Sequence, residues 1–177
     1  MIELVVAIAL AAILFGFAMP SFERLLGDSR LTSTVNELVF SLQTARSEAI
    51  KRAAPVALCA SAAPLAAEPV CGGAGYAGGW IVYVDGNGNG TREATADEEL
   101  ILQIEPPGAA FSFVADATVA EQVLFVGSGA SATAAGTPIA GSIRVEYAAD
   151  AGRVVDVSVS ANGRIASKAT VVAESPS

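Results

Sequence analysis

From Leu4 to Met19 every residue is apolar or glycine, and the only charge beside this run is Glu3, at its very start. Such a run constrains the chain more than any other feature, because roughly 20 residues rising about 1.5 Å each cross the hydrocarbon core of a bilayer. The run is slightly short, and Met1 and Ile2 count towards it. The apolar pattern then continues. Phe22, Leu25, Leu26, Leu31, Val35, Leu38, Val39, Leu42, Ala45 and Ala49 recur mostly three or four residues apart, the period of an amphipathic helix. The spacing predicts one helix of about 50 residues, its first half in lipid and its second half packed under a domain. Gly16 and Pro20 stand at the join. Proline lacks an N–H and clashes with the preceding turn, which predicts a kink or local melting there. A secretory signal peptide needs a basic segment before the apolar run and a small-residue cleavage site after it. The first basic residue is Arg24, and the helical pattern runs past any plausible cut.

Charge divides the chain at about the same place. Through Arg52 there are five acidic and five basic residues; from Ala53 onward there are thirteen acidic and five basic, so the net −8 belongs to the second part. A head this acidic argues against general nucleic-acid binding, which rests on neutralising phosphates. There is no histidine, which removes Ser-His-Asp and Cys-His catalysis and His-ligated metal sites together. No paired-carboxylate motif stands out, so the reading is of a non-enzymatic chain without a cofactor. The boundaries expected are 1–22 for the membrane half of the helix, 23–52 for its amphipathic half, and 53–177 for an extracytoplasmic head.

After Arg52 the period shifts to two or to short apolar runs. Strands are expected at Val56–Cys59, Trp80–Val84, Leu100–Ile104, Phe111–Val114, Val123–Val126, Ile143–Tyr147 and Val154–Ser160, separated by Gly, Pro, Asp and Asn clusters. This spacing predicts an α+β fold with antiparallel sheet. Gly127–Gly141 is small and uncharged and reads as a flexible loop; the tail Ser167–Ser177 reads as frayed. Trp80, a lone tryptophan, reads as core. The two cysteines, Cys59 and Cys71, leave two readings. A head beyond the membrane favours a bridge closing the Ala60–Val70 loop, with about 3 kcal/mol gained from loop closure in the chain-entropy model; two buried free thiols are the alternative.

Ile2-Glu3-Leu4-Val5 followed by the unbroken apolar helix resembles the N-terminus of type IV pilins and type II secretion pseudopilins. The resemblance implies a leader removed ahead of Ile2, methylation of the new N-terminus, and a role for Glu3 in docking into a growing filament by neutralising a neighbour's amine. Met1 stands where that class has the end of its leader, so processing is not read from these residues. Ala45-Arg46-Ser47-Glu48-Ala49-Ile50-Lys51-Arg52 and Gly79-Trp80-Ile81-Val82-Tyr83-Val84-Asp85 narrow the resemblance to the GspH/FimT group of minor pilins and pseudopilins. That group implies a type IV pilin-like fold, a long N-terminal helix laid on antiparallel sheet. It implies a single-pass protein of the bacterial inner membrane with its head in the periplasm, and other pilins or pseudopilins as partners. Pilus and type II secretion filament both remain open.

Two further motifs carry alternatives. Asp85-Gly86-Asn87-Gly88-Asn89-Gly90 matches the first half of a calcium loop, D-x-N-x-N-G. The twelfth place, where such a loop closes with Glu, is Ala96, and Asp97, Glu98 and Glu99 follow out of register. Asn-Gly and Asp-Gly also make tight hairpin turns without metal. Near the end, Asn162-Gly163-Arg164-Ile165-Ala166-Ser167-Lys168 resembles half of the G-R-x-R motif of FimT-like pilins that bind DNA in natural transformation. Ala166 stands at the second Arg position, and Lys168 shares a face with Arg164 in an extended chain. Arg144 and Arg153 are candidates to join them on DNA phosphates, with Glu146, Asp150 and Asp156 opposing. The alternative is a turn leading into a short terminal strand.

Overall fold

The computed structural model describes residues 2–171 apart from 74, 94, 96 and 149–152, and the side chains within that range apart from those of 5, 7, 9–26 and 171. Helix α1 (Ile2–Arg52) runs without interruption through Gly16 and Pro20, so the expected local melting is absent. Its last turn carries Lys51 and Arg52, favourable beside the negative helix end. The chain then turns at Ala53, the described non-glycine residue with positive φ (50°), into nine strands.

A five-stranded sheet has the order β3-β2-β1-β5-β6, from β1 (Val56–Ala60), β2 (Trp80–Val84), β3 (Leu100–Ile104), β5 (Gln122–Phe125) and β6 (Ser131–Ala132). A four-stranded sheet has the order β4-β7-β8-β9, from β4 (Phe111–Ala115), β7 (Gly141–Tyr147), β8 (Arg153–Val159) and β9 (Ile165–Val171). Every pairing between these strands is antiparallel. The fold is thus α+β, a long helix on antiparallel sheets, as expected.

The helical spacing decides what α1 buries. Leu31, Val35, Leu38, Leu42, Ala45 and Ala49 form one stripe, fully or almost fully buried. This stripe meets Val56, Leu58, Trp80, Val82 and Phe125 of the first sheet and Ile143, Val145, Val155 and Val157 of the second in one continuous core. Each Leu buried there contributes about 1.5–3 kcal/mol relative to exposure. Phe22, Leu25 and Leu26, the earlier members of the stripe, lie outside the described side chains.

Strands β1 and β2 are buried at every position. Alternate residues of a strand point to opposite faces, so the far face needs its own cover. It has one: Ala57, Cys59, Ile81, Tyr83 and Leu124 form a second small cluster, against which Cys71 and Leu100 pack. The Cys59–Cys71 disulfide, with Cα atoms 5.6 Å apart, holds the 60–70 loop against this face.

Three expectations are corrected. The Gly127–Gly141 segment is anchored rather than free. It contains β6, and buried Ser131 donates from Oγ towards the Ile139 carbonyl at 2.7 Å and the Ser160 carbonyl at 2.9 Å. The tail is not frayed from Ser167, because β9 pairs with β8 residue by residue to Val171; residues 172–177 lie outside the described part. The D-x-N-x-N-G segment turns tightly, the Gly88 N–H donating to the Asp85 carbonyl at 3.3 Å, but this turn does not close the hairpin. It opens the fifteen-residue connection 85–99 between β2 and β3. Among the described residues no helix is long and apolar enough to cross a membrane.

Candidate functional site

The end of α1, the β8–β9 turn and the outer face of the four-stranded sheet carry the residues singled out for function. Arg46 is the organiser. Its Nε donates to the Gly129 carbonyl at 3.0 Å and its Nη2 to the Asn162 carbonyl at 3.4 Å. One guanidinium thus ties the helix to the turn after β5 and to the β8–β9 turn. That second turn is closed by its own side chains. The Arg164 N–H donates to Ser160 Oγ at 3.1 Å and Asn162 Oδ1 at 3.2 Å, while the Gly163 N–H donates to the Ser160 carbonyl at 2.7 Å. Arg164 itself is exposed and lines an open groove of about 430 Å³ with Gln43, Arg46, Ser47, Ile50 and Ile165.

The four cations read as candidates for DNA are not gathered into one patch. Arg144 is held by Asp156, Nε to Oδ1 2.8 Å, and that carboxylate raises its pKa. Arg153, at the far end of β8, is ion-paired with Asp28 on the helix. Lys168 sits opposite Asp156 in the β8–β9 register, and Asp156 sits opposite Arg144 in the β7–β8 register. The outer face therefore runs cation, anion, cation across three strands. Glu146 and Asp116 extend this alternation, Asp116 accepting from the Ser142 N–H and hydroxyl at 2.7 and 2.9 Å. Among the described residues only Arg164 and Lys168 of the four form no ion pair. Asp150 lies outside the described residues.

The rest of the Ala45–Arg52 run is structural. Lys51 and Arg52 both bind Glu48, at 2.9 and 3.0 Å, and Arg52 reaches Glu99 at 2.6 Å. The hydrogen bonds from Lys51 and then Arg52 hold Glu48 below the usual carboxylate range, and that from Arg52 does the same to Glu99. Trp80 lies wholly buried, its Nε1 donating to Ser41 Oγ at 3.0 Å and its ring meeting Phe113 edge-on at 6.1 Å. Ser41 is the residue sequence reasoning missed. Its signal was a hydroxyl on the buried stripe of the helix, where an apolar side chain is expected.

The β2–β3 connection has its own order. Asp85 Oδ1 and Oδ2 accept from the N–H groups of Asn89 (3.2 Å) and Gly90 (2.9 Å). Asn87 Oδ1 accepts from Asn89 (2.9 Å) and Asn89 Oδ1 from Thr91 (2.7 Å). Glu93 receives the amide groups of both Asn87 and Asn89. Ala96 lies outside the described residues. No three His, Cys, Asp or Glu side chains gather closely enough to hold a metal by themselves among the described residues.

Residues 34–163 match the family model described as type II transport protein GspH. The chain belongs to the GspH family. Among solved structures it is similar to the type IV minor pilin FimU of Pseudomonas aeruginosa strain PAO1 in two crystal forms. One has a TM-score of 0.52 at 20% identity over 80% of this chain and 90% of that one. The other has a TM-score of 0.50 at 22% identity over 77% and 91%. Likeness at this identity speaks for the fold. No match was found among curated protein sequences. The GspH match takes in Ser41, Arg46, Trp80 and the turn up to Gly163; Arg164 and Lys168 fall just beyond it.

Proposed function

We propose that this GspH-family chain is a minor pilin or pseudopilin, a subunit of a type IV pilus or type II secretion filament that acts by packing rather than catalysis. One observation carries the reading. On the isolated chain the described side chains at the start of α1 stand bare: Ile2 is 82% exposed, Leu4 66%, Val6 52% and Ile8 61%. Steps of two residues on a helix point in roughly opposite directions, so this end is apolar on more than one side. A helix apolar all round requires cover all round, from lipid or from other helices. The Leu4–Met19 run supports the inner membrane as a first environment, with the head in the periplasm, and a bundle of like helices as the second. Glu3, exposed here, fits the docking role if a neighbouring subunit's terminal amine meets it in the bundle. In this reading the subunit sits near the filament tip and primes assembly.

The test is Glu3→Ala in cells that make the rest of the filament. The expected result is wild-type amounts in the membrane fraction and at least a tenfold loss from sheared filaments. Equal incorporation would overturn the docking role.

A DNA-binding minor pilin is the second reading, favoured by exposed Arg164 beside Arg46 in an open groove. The alternating charges of the sheet face weigh against it, since a few phosphates need adjacent unpaired cations. A mobility-shift series on the detergent-solubilised full chain decides between them. The packing reading expects no shift at low salt. Micromolar binding that weakens with salt and disappears in Arg164→Ala would establish the DNA reading instead.

A further inference from the structure

Two carboxylates are buried at the neck of the β2–β3 connection. Asp85 is 0% exposed and Glu98 2%. The pairing of Tyr83 with Leu100, and the bond from the Val84 N–H to the Glu99 carbonyl, bring positions 85 and 98 to face each other across that neck. Neither carboxylate has an ion-pair partner among the described residues. Glu98 accepts the Glu93 N–H with one oxygen, while its other oxygen, Oε1, is buried without a partner. Arg92, the buried cation in the connection, directs its Nη1 to the Pro69 carbonyl at 3.0 Å instead, and its Nε and the Tyr83 hydroxyl are buried without a hydrogen-bond partner as well. Buried charges are as a rule paired, neutralised or bound to metal.

The sequence above this neck is rich in oxygen donors. Asp85, Asn87 and Asn89 occupy the first, third and fifth places of the D-x-N-x-N-G pattern. The backbone bonds they accept leave further lone pairs on each oxygen. Glu93 is held beside both amides, and Glu98 is lodged against the Glu93 backbone. Carboxylates alone do not make the cluster; the amide oxygens are needed. We propose that the β2–β3 connection is a calcium site, with Asp85, Asn87 and Asn89 on one side of the ion and Glu98 closing the other, two places later than in the common helix-loop-helix pattern. Glu93 completes the charge at the solvent edge.

Oxygen donors of this kind select the ion. Calcium takes six to eight oxygens in flexible geometry, whereas magnesium demands a near-ideal octahedron and keeps its water. Imidazole and thiolate ligands, which suit zinc and copper, are missing: the chain has no histidine, and both cysteines are in the disulfide. The ion would neutralise two buried carboxylates and occupy the orphaned Glu98 oxygen. It would also clamp the connection over the cluster of Tyr83, Ile81 and Cys59. The inference stands independently of the filament reading.

The test uses the full chain in detergent, stripped with EGTA and returned to calcium or magnesium. Melting of the wild type is expected to rise by about 5 °C at calcium near 100 Kd, and by much less with magnesium. Terbium, excited through tyrosine, is expected to emit and to be displaced by calcium, since Tyr83 stands two residues before Asp85 and pairs with Leu100, two residues after Glu98. Glu98→Gln keeps an acceptor for the Glu93 N–H and removes the buried charge. It is expected to melt in EGTA no lower than the wild type and to lose at least tenfold in calcium affinity. Exposed Asn87→Ala is the second variant, expected to weaken calcium binding without unfolding the chain. Identical melting with calcium and EGTA, or a calcium response unchanged in Glu98→Gln, would overturn the site.

Discussion

Trp80→Ala is expected to destabilise the head by about 3–5 kcal/mol, the range for removing a fully buried large aromatic. Against a typical total of about 5–15 kcal/mol this leaves a protein close to unfolding. The reason lies in what the ring touches. Trp80 comes from the five-stranded sheet, Phe113 from the four-stranded one and Ser41 from the helix, and the indole contacts both. Removing it opens a cavity where all three layers meet. Urea unfolding followed by circular dichroism measures the loss; in the wild type the fluorescence of Trp80, the single tryptophan, reports the same transition. Ser41→Ala separates packing from hydrogen bonding. It leaves the ring in place but orphans a buried N–H, at an expected cost of about 1–3 kcal/mol. If Ser41→Ala cost as much as Trp80→Ala, the packing account would be wrong.

Gly163→Ala is expected to cost about 3 kcal/mol or more, although it adds a single methyl group. Gly163 has φ +76°, a conformation that costs an ordinary L-residue about 1–2 kcal/mol. A Cβ there would also overlap the Gly129 carbonyl oxygen and stand 2.9 Å from Arg46 Nε. Backbone blocks the methyl on one side, and the guanidinium that ties helix to sheet blocks it on the other. Relief requires the β8–β9 turn to lift off the helix end, which breaks the Arg46 bonds. Gly136→Ala is the control: φ is +81°, but nothing lies within 4 Å of its Cβ. It is expected to cost about 1 kcal/mol, the backbone component alone. Thermal melting of the two variants side by side tests the argument. Equal losses would mean that the close approach to Gly129 contributes nothing.

Much of this architecture was legible in local patterns. The three- and four-residue spacing from Leu31 to Ala49 marks the buried stripe because helix geometry maps spacing directly onto a face. The run Trp80–Val84 marks a strand buried on both sides, and its bounds are those observed. Cys59 and Cys71 left a bridge and two thiols open, and the fold brings them together. Three features were not legible in this way. Ser131 anchors a segment that composition alone marks as loose. Ser167 to Val171, Ser-Lys-Ala-Thr-Val, complete a strand though barely apolar, held by the β8 ladder residue by residue. Arg46 lies in a motif read from the sequence, yet its two acceptors are carbonyls 83 and 116 residues away.

The sequence by itself determined the long helix, its buried stripe, the positions of most strands and the family, because each is written in neighbouring residues. Tertiary structure alone decided which strand joins which sheet: β1 pairs with β5 across the whole intervening hairpin, and β4 leaves for the second sheet. It also decided the fate of charge. Arg144 and Arg153 are paired with Asp156 and Asp28, while Asp85 and Glu98 are buried with no ion pair among the described residues. Electrostatic interactions depend on distance in space and on burial. Neither is a property of spacing along the chain.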